Sequence, residues 1–534
     1  MFLARNNDFN AFRHQFSQIL NKNGWRLDNQ ISLTSFEDIL QNGRFFRPSA
    51  NLSKTIPAFS NREFSLKYAV ENNQTKLNTS QSLTAGSFSF STFQLSTQSN
   101  PEKLNKWGLK YFTRADALPL GNLLQRADRS QNFNLNGEWM SDQHHQIRFN
   151  ATYRKLNRDN IFSTVASDET ILGRVEYFTM LWKGAISGSS LYELGSGQEP
   201  RKDFTYFEVP AGQGEYAWFD YNNDGLQQLN EFELAKFKDQ ARFIRIFTPT
   251  REFVRANYLN FNYNLVLDPS VALKNEENSK FANFFKRFYL QSSIQIIDKS
   301  TEKQERNLNP FSLGRPDTSL IITERLQSHS FSFNRQSQVW GIDLNYLNNI
   351  SKSFLSYGFE SRELSDLTLR IRSNWFKMIT VDLIGKKTLN QLETPGFQNR
   401  NYRVISEVIE PRITYTYSTK LRLQAGYTLN EKRNNGIEKA IIKAVQLDGR
   451  YNIVSNTSIA SRFSLNKINF NGLPSSTVGY IMLDGLLPGN NLIWSTDLTK
   501  RLGAFLEISI QYEGRKSQSS GMVHLGRAQV RALL

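Results

Sequence analysis

The chain is 534 residues long, has no cysteine and carries a formal net charge of +16. The missing thiols exclude disulfides, thiolate zinc sites and cysteine nucleophiles together. The positive charge comes with no Lys/Arg block of five or more and no nucleic-acid motif, which sets nucleic acid aside as partner, and no run approaches the ~18 apolar residues of a membrane helix.

At the N-terminus, Met1–Asn10 offers too short an apolar stretch for a secretory leader, so either the protein is cytoplasmic or this is a mature chain, a fragment or a misassigned start, and the rest of the sequence favours the latter group. Phe9, Phe12, Phe16, Ile19 and Leu20 fall at helical spacing and predict a short amphipathic helix over 7–22. Thr34-Ser35-Phe36-Glu37 predicts the cap of a second short helix. Residues 1–55 are thereby set apart as an N-terminal segment with short helices.

From about residue 60 the period becomes two. In 412–418, Ile413, Tyr415 and Tyr417 oppose Arg412, Thr414, Thr416 and Ser418; in the next segment Leu421, Leu423, Ala425, Tyr427 and Leu429 oppose Lys420, Arg422, Gln424, Thr428 and Asn430. The same alternation recurs around 147–154 and 504–513. Aromatics are 13% and charged residues 21%, with mean hydropathy −0.50, which suits sheets with one apolar and one polar face. The segments run about 9–13 residues, long for a soluble sheet and suited to a tilted membrane-spanning strand. Trp107, Trp139, Tyr153, Trp375, Tyr427, Trp494 and Tyr512 lie towards strand ends, as in an interfacial girdle. The predicted class is all-β: a large antiparallel transmembrane β-barrel over 56–534 with roughly 18–22 strands. A large soluble sandwich or propeller is the competing architecture, and no repeat of ~40–50 residues supports a propeller.

Between a strand near 170–182 and one near 252–267 lies a long inserted connection, 183–251, expected to face outside. Within it, Asp220-Tyr-Asn-Asn-Asp-Gly-Leu-Gln-Gln-Leu-Asn-Glu231 matches the twelve-residue calcium-loop pattern. Asp220, Asn222 and Asp224 take positions 1, 3 and 5, and Gly225 takes the sharp turn at position 6. Leu226 offers a carbonyl at position 7, Gln228 acts at position 9, and Glu231 closes the shell with two oxygens. All are oxygen donors, as a hard cation requires. Gln227 departs from the aliphatic residue usual at position 8. The competing reading is an Asx-rich turn capping a helix, and a helix is expected over 231–243.

Val209-Pro-Ala-Gly-Gln-Gly-Glu-Tyr-Ala-Trp-Phe-Asp-Tyr-Asn-Asn-Asp-Gly225, with Leu229-Asn-Glu-Phe-Glu233, resembles a segment of large outer-membrane proteins of Bacteroidota. Met482-Leu-Asp-Gly-Leu-Leu-Pro-Gly489 with Leu492-Ile-Trp494, and the ending from Tyr512 to Leu534, are similar to the same family. The resemblance covers specific wording over 160–270 and 475–534. It implies location and fold; the family carries no assigned biochemical activity, so it implies no mechanism.

Other constellations are weaker. Asp142 with His144 and His145 reads as a polar turn, and nothing nearby completes a metal shell. Glu407 and Glu410 stand three apart, on opposite faces of a strand. Arg148, Arg154, Arg370, Arg372, Lys420, Arg422, Arg527 and Arg531 fall on polar faces, where cross-strand pairing with Asp and Glu is favoured over an anion-selective lumen. Two functions remain open. One is a non-enzymatic outer-membrane barrel of a Gram-negative bacterium, acting as channel, transporter or assembly partner. Its contacts would be membrane lipid, lipopolysaccharide and envelope proteins, and calcium would stiffen its external loop. The other is a secreted or surface-exposed adhesion module that uses calcium to fix its contact loop.

Overall fold

The computed structural model describes residues 2–5, 9–140, 142, 144–158, 168–275, 279–301, 309–311, 320–355, 358–435, 437–453, 456–503, 505–518 and 520–532. Among them lie 26 strands, 23 of which have ten residues or more. The chain divides into two units. The first holds ten strands, from Phe2–Arg5 to Asp168–Leu181, each antiparallel to the next. The second includes a run of twelve, from Phe288–Thr301 to Val523–Ala532, likewise antiparallel neighbour to neighbour. Among the described residues, no helix is long and apolar enough to cross a membrane.

The helix expected over 7–22 is a strand, Phe9–Lys22. A spacing of four is a multiple of two, so Phe12, Phe16 and Leu20 satisfy both periods, and here they share one exposed strand face. The expected cap at 34–37 lies inside the strand Trp25–Asp38. Phe36 there lies over Gly43, where any side chain would begin 2.0 Å from its ring. The boundary at 55 falls away as well: Gln41–Ile56 turns through Pro57–Phe59 and pairs with Arg62–Leu77.

The limbs of the long connection are the two longest strands, Ile186–Glu208 and Phe243–Leu267, of 23 and 25 residues. Gly195 does not interrupt its strand, because the Tyr258 ring occupies the space its side chain would take. The irregular part shrinks to 209–242, an insertion within the second unit. From Arg62 onward the described residues hold 22 strands, at the top of the expected range, and the four strands before Pro57 bring the total to 26.

In the second unit, the connections 376–378, 418–420, 454–456 and 503–505 share one end of the strands and take three residues each. The longer ones, 394–401 and 471–488, lie at the other end. A short helix in 471–488, Thr477–Met482, folds onto the polar face of the sheet. There Val478, Met482 and Leu483 bury themselves against Leu392, Val404, Ala440, Ile442 and Ile468.

Alternation leaves the apolar face bare. Ile413, Leu423, Leu447, Phe463 and Leu465 are exposed on one side, while Arg412, Gln424, Asp448 and Ser464 lie on the other. In the first unit Trp25, Trp107 and Trp139 stand beside the connections at one strand end; in the second, Trp340 and Trp375 do the same.

Candidate functional site

The insertion is built on a small hairpin in which Tyr216–Trp218 pairs with Phe232–Leu234. The helix expected over 231–243 is absent from the insertion: a single 3-10 turn, Leu229–Glu231, leads straight into the strand. Period two explains this. Phe232 enters an aromatic cluster, stacked on Tyr206 at 3.9 Å and edge-on to Phe243 at 5.0 Å, while Glu233 points to the other side.

The calcium-loop residues form the tip of this hairpin. Carboxylate oxygens of Asp220, Asp224 and Glu231 lie within 4.8 Å of one another, a separation that one cation with oxygen contacts of about 2.3–2.6 Å can bridge. Backbone N–H groups fix the carboxylates. Asp220 accepts from Asp224 N at 3.1 Å and from Gly225 N at 2.8 Å, and Asp224 accepts from Leu226 N at 2.7 Å. Glu231 is buried and accepts from the indole N–H of Trp218 at 2.9 Å and from Gln228 N at 3.2 Å. Gly225 has φ 72°, the left-handed turn required at position 6. Asn222 and Gln228 donate their amide groups to Asp224, at 2.8 and 2.6 Å, so each needs an amide flip to present oxygen to a cation. Leu226 enters through its N–H, with its side chain exposed. The donor set fits a hard cation in residue type and spacing.

Two residues beyond Glu231 the insertion docks. Glu233 is almost wholly buried beside the Arg400 guanidinium, 3.5 Å away, and Arg400 also lies 3.8 Å from Glu360. Arg400 further donates to Phe232 O at 3.3 Å, and Arg362 holds Glu360 at 2.7 Å. Burial pushes the Glu233 carboxyl up from its ordinary value, and Arg400 draws it partly back. Lys236 N donates to Tyr480 Oη at 2.8 Å, tying the insertion to the Thr477–Met482 helix; burial raises the Tyr480 phenol to about 12. At the far edge, Lys238 meets Glu513 at 2.6 Å and Arg527 donates to Gly212 O at 3.4 Å. The insertion therefore contacts residues of the second unit from Arg400 to Arg527.

Sequence reasoning missed Arg400, Glu360 and Tyr480. Its only trace of them is that the segments 209–233 and 482–494, both carrying the resemblance, lie on either side of this joint. Asp142 accepts from His144 N at 2.7 Å and His145 N at 2.9 Å, a polar turn as expected. Glu407 and Glu410 take separate partners, Lys387 and Arg412. Of the polar-face cations, Arg148 and Arg370 pair with Glu138 and Asp382, whereas Arg372, Arg422 and Arg527 bond to carbonyl oxygens.

No protein-family model and no curated protein matches the chain. Among solved structures it is similar to the siderophore receptor PirA from Acinetobacter baumannii, at 8% identity and TM-score 0.34, covering 99% of this chain and 81% of that one. It is also similar to the copper transporter OprC (8%, TM-score 0.34, 99% and 82%). The ferric-catecholate import receptor Fiu from E. coli K12 gives 8% and TM-score 0.31, covering 98% and 80%.

Proposed function

We propose that this chain is a non-enzymatic outer-membrane β-barrel protein of a Gram-negative bacterium, of the Bacteroidota kind that its segments resemble. It works as a channel, transporter or assembly partner, and the insertion 209–242 occludes the polar side of its second unit. The carrying observation is the bare apolar face. In the second unit Ile413, Leu447 and Phe463 lie exposed on one face of neighbouring strands, uncovered by any of the described residues, and Trp340 and Trp375 stand at the strand ends. Such a band is a liability in water and a requirement in lipid. An adhesion module would need the same faces buried in a core. Barrels of this kind have short periplasmic turns and long external loops, which supports an external position for the insertion. There the cluster of Asp220, Asp224 and Glu231 would hold calcium, with Asn222, Gln228 and the Leu226 carbonyl completing the shell.

Exported with a signal sequence, the protein should fractionate with the outer membrane, need detergent to stay in solution and migrate differently on gels before and after boiling. Recovery as a detergent-free soluble monomer would overturn the reading.

A further inference from the structure

On the apolar face of the second unit, near the long-connection end, two lysines stand side by side. Lys443 and Lys467 are directly opposite each other on adjacent strands, and both are exposed. Their side chains begin about 5 Å apart, and like charges placed that way destabilise a sheet. Neither meets a carboxylate among the described residues, although Lys387 and Lys439 on the same face pair with Glu407 and Glu431. A third exposed lysine, Lys516, lies one row nearer the band's centre, in register with Leu492 and Leu465. Leu429 is exposed beside Lys443 in the same row, and immediately below the pair the surface is apolar, with Val445 and Leu465 exposed opposite each other on the same face.

The wall behind the pair is firm. Ala444, Asn466 and Ile468, which alternate with these lysines, are buried on the polar side, and Ile468 packs against the Thr477–Met482 helix. The strands therefore cannot shift to relieve the repulsion.

Resting on the barrel reading above, we propose that Lys443, Lys467 and Lys516 form a site for the phosphate-bearing headgroup of an anionic membrane lipid. The phosphate sits between the paired lysines and the acyl chains run down over Val445 and Leu465. The occupant is an amphiphile rather than a free anion, because the cations border a continuous apolar surface. Long lysine stems suit this boundary, since they lie along apolar surface while the ammonium reaches the polar layer.

The test uses the full chain purified in an uncharged detergent, with gel migration before and after boiling scored first. Native mass spectrometry then compares retention of phosphatidylglycerol with that of phosphatidylcholine of the same chains, in wild type, K443Q/K467Q and K443R/K467R. Wild type and the arginine variant should retain the anionic lipid about tenfold better, and the glutamine variant should lose that preference. Equal retention of both lipids by wild type would overturn the site. So would an unchanged preference in a glutamine variant that still shows the boiling-dependent shift. Complete displacement of the lipid by inorganic phosphate at matched concentration would make this a phosphate site and sink the lipid assignment. Wild type that is soluble without detergent would overturn the barrel reading and the site with it.

Discussion

Asp239 and Arg515 meet carboxylate to guanidinium, with two bonds of 2.9 and 2.6 Å across 276 residues of chain. The pair is bidentate and only partly exposed, and Arg515 also lies over the Phe237 ring at 4.2 Å. One edge of the insertion is thereby pinned to the strand Leu506–Ser517 by a contact with both direction and charge.

Asp239→Asn should loosen that edge and expose Lys236, Lys238 and Arg242 to trypsin. A double-mutant cycle with Arg515→Gln, read as cleavage protection, should give a coupling of about 1 kcal/mol, reduced by salt. Cleavage identical in all four proteins would show that the pair holds nothing.

Arg400→Ala should do far more damage. It leaves Glu233 buried without its guanidinium, while Glu360 keeps Arg362, a change worth about 3–5 kcal/mol when one partner of a buried pair is removed. The double replacement Glu233→Gln, Arg400→Met, which leaves the Glu360–Arg362 pair intact, should recover most of the protection, since the cost lies in the orphaned carboxylate. A double variant as unprotected as the single one would contradict this account.

Calcium should be readable through Trp218, whose indole N–H already touches Glu231. Terbium, a calcium stand-in, should emit on excitation of tryptophan, and excess calcium should quench the signal. Asp220→Ala and Glu231→Gln should each abolish the emission. Calcium should also slow protease cleavage of 209–242, because the cation joins carboxylates that otherwise repel. Emission that survives in both variants would place the metal elsewhere.

Leu447→Arg puts a charge on the apolar band and should destabilise the inserted protein by roughly 2–4 kcal/mol if it lies near the membrane midplane. Gln446→Arg, one residue along and on the polar face, should cost much less. Equal effects in a denaturant titration from vesicles would show that the faces are wrongly assigned.

The sheet was legible wherever alternation was strict, as in 412–429, because a strand with unlike faces writes its period directly into the sequence. The first strands were misread because phenylalanines four apart fit two periods. The gathering of Asp220, Asp224 and Glu231 at the insertion's tip was legible for a different reason: a tight turn brings together residues that stand close in sequence. The insertion's docking was not legible. Arg400 and Tyr480 matter only because folding brings them to Glu233 and Lys236, and no local pattern encodes a partner some 170 or 240 residues away.

The separation between Lys236 and Tyr480 also sets an order of events. In chain order the hairpin and its aromatic cluster, from Tyr206 to Phe243, come long before the helix that carries Tyr480 and the strand that carries Arg515. Closing so long a loop adds little entropy per extra residue, yet contacts this distant in sequence form late. The hairpin, held by local contacts, can therefore form before the residues that seat it are in place. A chaperone or neighbouring envelope protein that meets the nascent chain would find this hairpin exposed then, and hidden afterwards.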